Sequence, residues 1–389
     1  MPEAKVLHVI GGSQFGGIVP YVASLVKMAR EQNMEAEVLA TAPRVVDYYR
    51  QRGIKVVSVL GIDREISPTG DLSGLFRLIA HLRRHHYRVV HTHTSKGGII
   101  GRLAAHLAGV PVIIHTTQGY AFQDYAQTRF MRWLLLTAER IATGWCHLII
   151  AANKFDRDLA IETGIVRPEK IVTIKNCIDL DTIDRTPAPE GIRASLGLGR
   201  QGKVIGVMAR LSPQKGLEYF FDALPSVLAE FPSVQVLVVG EGELLQALKA
   251  RVEGLGLSGQ VVFAGFRSDW IEVLRAIDLF VMPSLWEGLP ITLLGAMATS
   301  RPIVTTRIKG ITDVCGDGEV ALLVEPANSA ALSDAMARLL RDEAAAARYG
   351  AGARRRVEEE YSETVMNARI WNCYQTLLAG KPLTAAEGA

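Results

Sequence analysis

The sequence predicts an α/β protein made of two doubly wound domains, each a mostly parallel sheet covered by helices on both faces. Three observations predict it. Short apolar runs alternate with amphipathic stretches from the first residues onward, the alternation breaks once near the middle, and it then resumes with the same pattern. The length of 389 residues exceeds what a single core usually accommodates. A composition of 49% hydrophobic and 21% charged residues with 36 glycines excludes a disordered or fibrous chain.

Taken in order, KVLHVI, EAEVLAT, KVVSVL, RVVHTHT, PVIIHTT, HLIIAAN and KIVTIKN read as strands. They are short and rich in Val and Ile, as strands buried on both faces must be. Helical patterns such as IVPYVASLVKMAREQ and GGIIGRLAAHLAG separate them. Such βαβ repetition places ligands at the carboxyl ends of the strands. In DLDTIDRTPAPEG, residues 179–191, two prolines and scattered acids interrupt the periodicity, which predicts a linker. KVIGVMAR, VQVLVVGEG, QVVFAGF, LFVMPS, RPIVTT and VALLVEP then restart the alternation, and the tail from SAALSDAMARLL to NCYQTLLAG reads as helices. The expected divisions are residues 1–183, residues 184–362 and a last helix at 363–380.

Charge is distributed unevenly. Residues 1–185 hold 23 Lys and Arg against 17 Asp and Glu, and the remainder 20 against 23. Between Asp71 and Trp145 the ratio is nine to three, with several histidines, which suits an anionic surface or substrate. The start MPEAKVLHVIGG lacks the apolar run of a signal peptide, and no uncharged run reaches the roughly 18 residues of a spanning helix. Cys146, Cys177, Cys315 and Cys373 show no CxxC spacing, so reduced thiols in a cytoplasm are expected.

Several stretches carry candidate chemistry. The first strand runs into GGSQFGG, residues 11–17, where Gly16 and Gly17 allow either a tight turn or close approach to a phosphate or substrate. The spacing is not GxGxxG and no acid closes the next strand, which disfavours a nicotinamide-dependent oxidoreductase. His91 and His93 share a strand face at a spacing able to ligate metal, but no third ligand is evident; hydrogen-bonded strand-end histidines are the ordinary reading and no metal is expected. Asp179 and Asp181 form a DxD at the linker edge that reads as a solvated turn. In ARLSPQKG, Arg210 and Lys215 leave a strand together around a Ser-Pro turn, as two solvated cations or as a diphosphate clamp. In SLWEGLPITLLGAMATS, Glu287 is the one charge. It reads either as a helix-capping acid, stabilised by the helix dipole, or as a carboxylate aimed at a ligand. TRFMRWLLLTAERIATGW mixes Arg129, Arg132 and Arg140 with Phe130 and Trp133, as an interfacial helix or as a core helix with basic edges.

Together these stretches, with NCID at 176–179, VVGEGEL and FAGF, resemble the family 4 glycosyltransferases over nearly the whole chain. The resemblance implies the GT-B fold, two Rossmann-like domains with an interdomain cleft and a final helix crossing back to the first. It implies retention of anomeric configuration, a nucleotide-diphosphate sugar as co-substrate held by the second domain, an acceptor held by the first, and no cofactor or metal. UDP is the favoured nucleotide. Residue by residue, Arg210 and Lys215 match the diphosphate-neutralising pair. Glu287 matches the glutamate that holds donor-sugar hydroxyls, so sugar hydroxyls and helix N–H groups rather than a protein cation are its expected partners. Phe266 and Arg267 match the base-binding loop, and Gly288, Leu289 and Pro290 the helix start beside the sugar. Similarity to capsule, exopolysaccharide and lipopolysaccharide assembly enzymes implies a polyprenyl-diphosphate-linked or soluble glycan acceptor. On the acceptor or membrane side stand His93, Arg129, Arg132, Trp133 and Arg140, with peripheral contact to an anionic inner membrane face. No nucleic acid is implied.

Three positions depart from the family pattern. Gly295 stands where a second glutamate would grip the ribose, Gln118 where a histidine is expected, and Cys177 where a glycine is expected. Gln118 exchanges no proton near neutral pH, so an acid–base role is excluded there while a polar contact is not. The joint loss at 295 and 118 motivates a second reading, an impaired GT-B protein that binds a glycan or lipid intermediate as an assembly partner.

Overall fold

The computed structural model describes residues 4–12, 17–59, 61–62, 67–117, 119–120, 122, 128–199 and 201–383. The chain divides into two compact units, Met1–Asn176 with Glu363–Ala389, and Cys177–Ser362.

The first unit holds β1 (Lys5–Gly11), β2 (Glu35–Ala40), β3 (Lys55–Val57), β4 (Val89–His93), β5 (Val112–Thr117), β6 (Leu148–Ala151) and β7 (Ile171–Thr173) in the order β3-β2-β1-β4-β5-β6-β7. All pairings are parallel. The helices between them are α1 (Ile18–Glu31), α2 (Pro43–Gln51), α3 (Pro68–His85), α4 (Ser95–Ala108), α5 (Arg129–Gly144) and α6 (Lys154–Glu162). Burial of β1, β4 and β5 on both faces explains their unbroken apolar runs. On one face, glycines of α4 let that helix approach the sheet: a Cβ at Gly98 would stand 2.6 Å from His115 and one at Gly101 2.8 Å from Thr92.

In the second unit, α7 (Leu180–Arg185) and α8 (Ile192–Ser195) precede β8 (Val204–Met208), α9 (Leu217–Glu230), β9 (Gln235–Val239), α10 (Leu245–Gly254), β10 (Val261–Gly265) and α11 (Trp270–Ala276). There follow β11 (Leu279–Met282), α12 (Ile291–Ala298), β12 (Ile303–Thr306), α13 (Lys309–Cys315), β13 (Leu322–Val324), α14 (Ser329–Arg341) and α15 (Glu343–Glu360). The parallel sheet has the order β10-β9-β8-β11-β12-β13. Separate apolar clusters cover its two faces.

The stretch read as a linker is ordered differently. Asp179 accepts a hydrogen bond from the Thr182 N–H at 2.9 Å and so caps α7, which accounts for the apparent DxD. Ile178 and Ile183 are buried in the second unit's core, so this unit begins at Cys177 rather than at 184. The last helix, α16 (Glu363–Leu378), packs on α1, where Ser24 Oγ donates to Asn367 at 3.1 Å.

Candidate functional site

In the second sheet the strand order reverses between β8 and β11, so the loops leaving their carboxyl ends stand side by side. The β8 loop carries Arg210 and enters a 3-10 turn, Pro213–Lys215. The β11 loop spans residues 283–290. Backbone contacts join the two: the Leu285 N–H donates to the Gln214 carbonyl at 2.8 Å, and Gln214 Nε2 donates to the Trp286 carbonyl at 2.8 Å. Gly216 makes the approach possible. Its φ of 56° is left-handed, and a Cβ there would stand 2.3 Å from the Pro283 carbonyl. Gly310, on α13, backs onto the same loop, where a Cβ would come within 2.2 Å of the Glu287 carbonyl.

This packing brings Lys215 and Glu287 together across 72 positions of sequence. Lys215 Nζ lies 2.5 Å from Glu287 Oε1, with the two side chains 16% and 7% exposed. Ser284 Oγ donates to the same oxygen at 2.7 Å. The expectation that no protein cation meets Glu287 is thereby corrected. A carboxylate so nearly out of water needs a partner, because an unpaired one costs several kcal/mol. Arg210 is exposed, and among the described residues its guanidinium enters no hydrogen bond or ion pair. Glu287 is not a helix-capping acid either. Helix α12 begins at Ile291 with Pro290 at its N-cap and has no acid in its first turn, since the residue before a proline is held extended.

The remaining candidates divide. Phe266 follows β10 and is 72% exposed. Arg267 is committed to Asp269, with Nε and Nη2 donating at 2.8 and 2.5 Å, and this pairing holds the Asp269 carboxyl below its ordinary range. Gly288 is exposed, and a Cβ there would meet nothing within 4 Å; Leu289 packs against the core. At Gly295 a Cβ would lie 2.5 Å from Trp270 Cζ3 and 2.9 Å from Leu274 Cδ1, so the indole fills the space a glutamate would occupy. Gly17 is the N-cap of α1, with nothing within 4 Å of a Cβ there. Gly16 and Gln118 lie outside the described residues.

On the first unit, α5 starts at a Thr128 cap and exposes Arg129, Phe130, Met131, Arg132, Trp133 and Leu134 in succession, with Phe130 69% and Trp133 57% exposed. Arg140 has a different task, donating to the Thr163 and Gly164 carbonyls that end α6. His93 is fully buried, which removes it from any surface acceptor contact. Sequence reasoning missed Ser284, Gln214 and Trp270. Ser284 was legible as the residue turning the chain after β11; the other two act through contacts no local pattern reports.

A sequence profile described as "Glycosyl transferases group 1" matches residues 190–356, and one described as "Glycosyl transferase 4-like domain" matches residues 16–177. The UDP-Gal:alpha-D-GlcNAc-diphosphoundecaprenol alpha-1,3-galactosyltransferase of Escherichia coli is 34% identical over 272 residues, 67% of this chain and 68% of that protein. The capsular polysaccharide biosynthesis glycosyltransferase CapM of Staphylococcus aureus is 23% identical over 97% of this chain and 98% of its own length. Among solved structures, Anabaena Alr3699/HepE in complex with UDP and glucose superimposes with a TM-score of 0.79 at 21% identity, covering 96% of this chain and all of that one. A glycosyltransferase from Rickettsia africae gives 0.80 at 18% identity, covering 97% and 99%. The chain belongs to the group 1 glycosyltransferases with a glycosyltransferase 4-like first domain, and it is a glycosyltransferase of the GT-B fold.

Proposed function

We propose that the chain transfers a sugar from a UDP-sugar, with retention of configuration, to a glycan acceptor carried on a polyprenyl diphosphate in cell-surface polysaccharide assembly. The observation that carries this reading is the Lys215–Glu287 ion pair at the carboxyl edge of β8 and β11, where the Arg210 guanidinium of the same loop has no partner among the described residues. The E. coli relative's name, with its UDP-Gal donor and diphosphoundecaprenol acceptor, supports the choice of substrates.

In this reading a donor diphosphate meets two cations, Arg210 by its fork and Lys215 as a point charge. As Lys215 turns to phosphate, the Glu287 carboxylate passes to sugar hydroxyls. Ser284 holds Oε1 throughout, so neither charge is left without a partner. Negative charge builds on the leaving diphosphate as the glycosidic bond breaks, so the two cations act most strongly in the transition state. They do the work a divalent metal does elsewhere, and no donor-site metal is required. The backbone at Phe266 and Arg267 takes the base, and Gly288 to Pro290 border the sugar. The acceptor hydroxyl attacks on the face that the diphosphate leaves, which gives retention without a protein nucleophile.

The exposed RFMRWL start of α5 suits an anionic membrane surface carrying a lipid-linked acceptor, with Phe130 and Trp133 entering the interface and Arg129 and Arg132 facing its headgroups. No described helix is long and apolar enough to cross a membrane.

Titration of the protein with UDP, GDP and ADP, followed by donor-hydrolysis assays over a panel of sugars, tests the reading. UDP is expected to bind most tightly and at least one UDP-sugar to turn over. Failure to bind any nucleoside diphosphate contradicts it. UDP binding with no turnover of any sugar supports instead the assembly-partner reading that Gly295 and Gln118 raise.

A further inference from the structure

Apart from the donor edge, the first sheet gathers three histidines from two strands. Register pairs His8 of β1 with His91 of β4, and the twofold repeat of a strand returns His93 to the same face. His8 is the third imidazole that the HTH spacing alone does not supply. All three are fully buried, and one ring nitrogen from each lies within 4.8 Å of the others. His8 Nδ1 stands 3.2 Å from His93 Nε2. Ring centroids are 5.5 Å apart for His8 with each partner and 4.3 Å for His91 with His93.

We propose that His8, His91 and His93 form a buried three-imidazole site for one divalent transition metal of the zinc or cobalt class. Ligand nitrogens around a tetrahedral zinc, each 2.0–2.1 Å from the ion, stand about 3.3 Å from one another, close to the His8–His93 separation. All three imidazoles are fully buried, so an ion held by them would be shielded from competing water. The set holds three imidazoles and no carboxylate, which suits zinc, cobalt, nickel or copper and not magnesium or calcium. His91 is already oriented as a ligand: its Nδ1 is 2.7 Å from the Tyr374 hydroxyl of α16, leaving Nε2 to turn from the Thr116 hydroxyl, also at 2.7 Å, to an ion. Among the described residues His8 Nε2 and His93 Nδ1 have no hydrogen-bond partner, so the hydrogen bond that ligation would replace is the one between His8 Nδ1 and His93 Nε2. A bound ion would tie β1 to β4 and, through His91 and Tyr374, hold α16 against the sheet.

The test is a titration of chelator-treated full-length protein with Co²⁺ and Zn²⁺. His81 and His85 form a second ring pair on α3, 4.3 Å between centroids, able to capture metal at the surface, so the His85→Ala variant is titrated in parallel. One equivalent of Co²⁺ is expected to give the visible absorption of four-coordinate cobalt, to be displaced by Zn²⁺, and to raise the melting temperature with saturation at one equivalent. This signal is expected to persist in His85→Ala and to be lost in His8→Gln and His93→Gln. Should those variants fail to fold, X-ray absorption of the wild-type cobalt protein decides, with three imidazoles in the shell as the expected result. Absence of stoichiometric binding, loss of the signal in His85→Ala, or fewer than three imidazoles overturns the proposal.

Discussion

At the scale of single residues, Lys215 and Glu287 are tied together by an ion pair, and each keeps the other's charge from being stranded in a half-dry loop. Lys215→Ala and Glu287→Ala are each expected to lower kcat by about 10²–10³-fold, the range seen when one preorganised electrostatic contact is removed. Steady-state rates with the preferred UDP-sugar check this, and unchanged rates in both variants contradict the assignment. Gly295 carries the second residue-scale prediction. With Trp270 seated where a side chain would go, Gly295→Glu is expected to destabilise the protein by about 1–3 kcal/mol rather than to create a ribose contact. Combining it with Trp270→Val is expected to recover part of that loss, because the two residues share one space. A double-mutant cycle of denaturant melts measures the coupling; additive effects would show that the indole is not what excludes the glutamate.

At the scale of elements, the edge of the first sheet depends on a buried acid. Glu37 of β2 is 2.9 Å from Lys5 of β1 and 2.5 Å from Lys55 of β3, and it accepts a hydrogen bond from the Tyr87 hydroxyl. Burial alone would raise its carboxyl, but the hydrogen bonds from Lys55, Tyr87 and Lys5 outweigh it and bring the group down to about 2. A carboxylate lowered on folding contributes stability above its unfolded value near 4.5, and that contribution is lost as pH falls from there toward 2. Glu37→Gln is therefore expected to flatten the acid limb of the stability–pH curve, read from denaturant melts between pH 5 and about 2. An unaltered slope would remove Glu37 from the acid response. For α5, Phe130→Ser with Trp133→Ser is expected to weaken binding to anionic vesicles, and Arg129→Gln with Arg132→Gln to cost about 1 kcal/mol per cation removed. Vesicle sedimentation over a range of anionic lipid content checks both; wild-type-like binding would assign the exposed face to another role.

At the scale of the whole molecule, repetition was the most legible property. Every apolar run read as a strand became one, because a strand buried on both faces has to be continuously apolar whatever its neighbours are. The ARLSPQKG and SLWEGLP stretches were both found at strand ends for a similar reason: a turn needs Ser-Pro or Pro-Ser punctuation that is visible locally. Contacts set by strand order were not legible. The adjacency of β8 and β11 makes Lys215 the partner of Glu287, the adjacency of β1 and β4 adds His8 to His91 and His93, and Trp270 reaches Gly295 from a different helix. The helix boundary near Glu287 also escaped, since EGLP looks like a helix start until the restriction that Pro290 places on Leu289 is applied.

In the proposed function, the β8–β11 edge supports retaining transfer from a UDP-sugar to a diphosphate-linked glycan. Proton NMR of the product formed from UDP-galactose and a lipid-diphosphate-linked GlcNAc tests it most directly, through the anomeric coupling of the new linkage. An α-linked galactosyl product, absent in Lys215→Ala and Glu287→Ala, is the predicted result. A β-linked product, or α-linked product formed at undiminished rate by both variants, would contradict it.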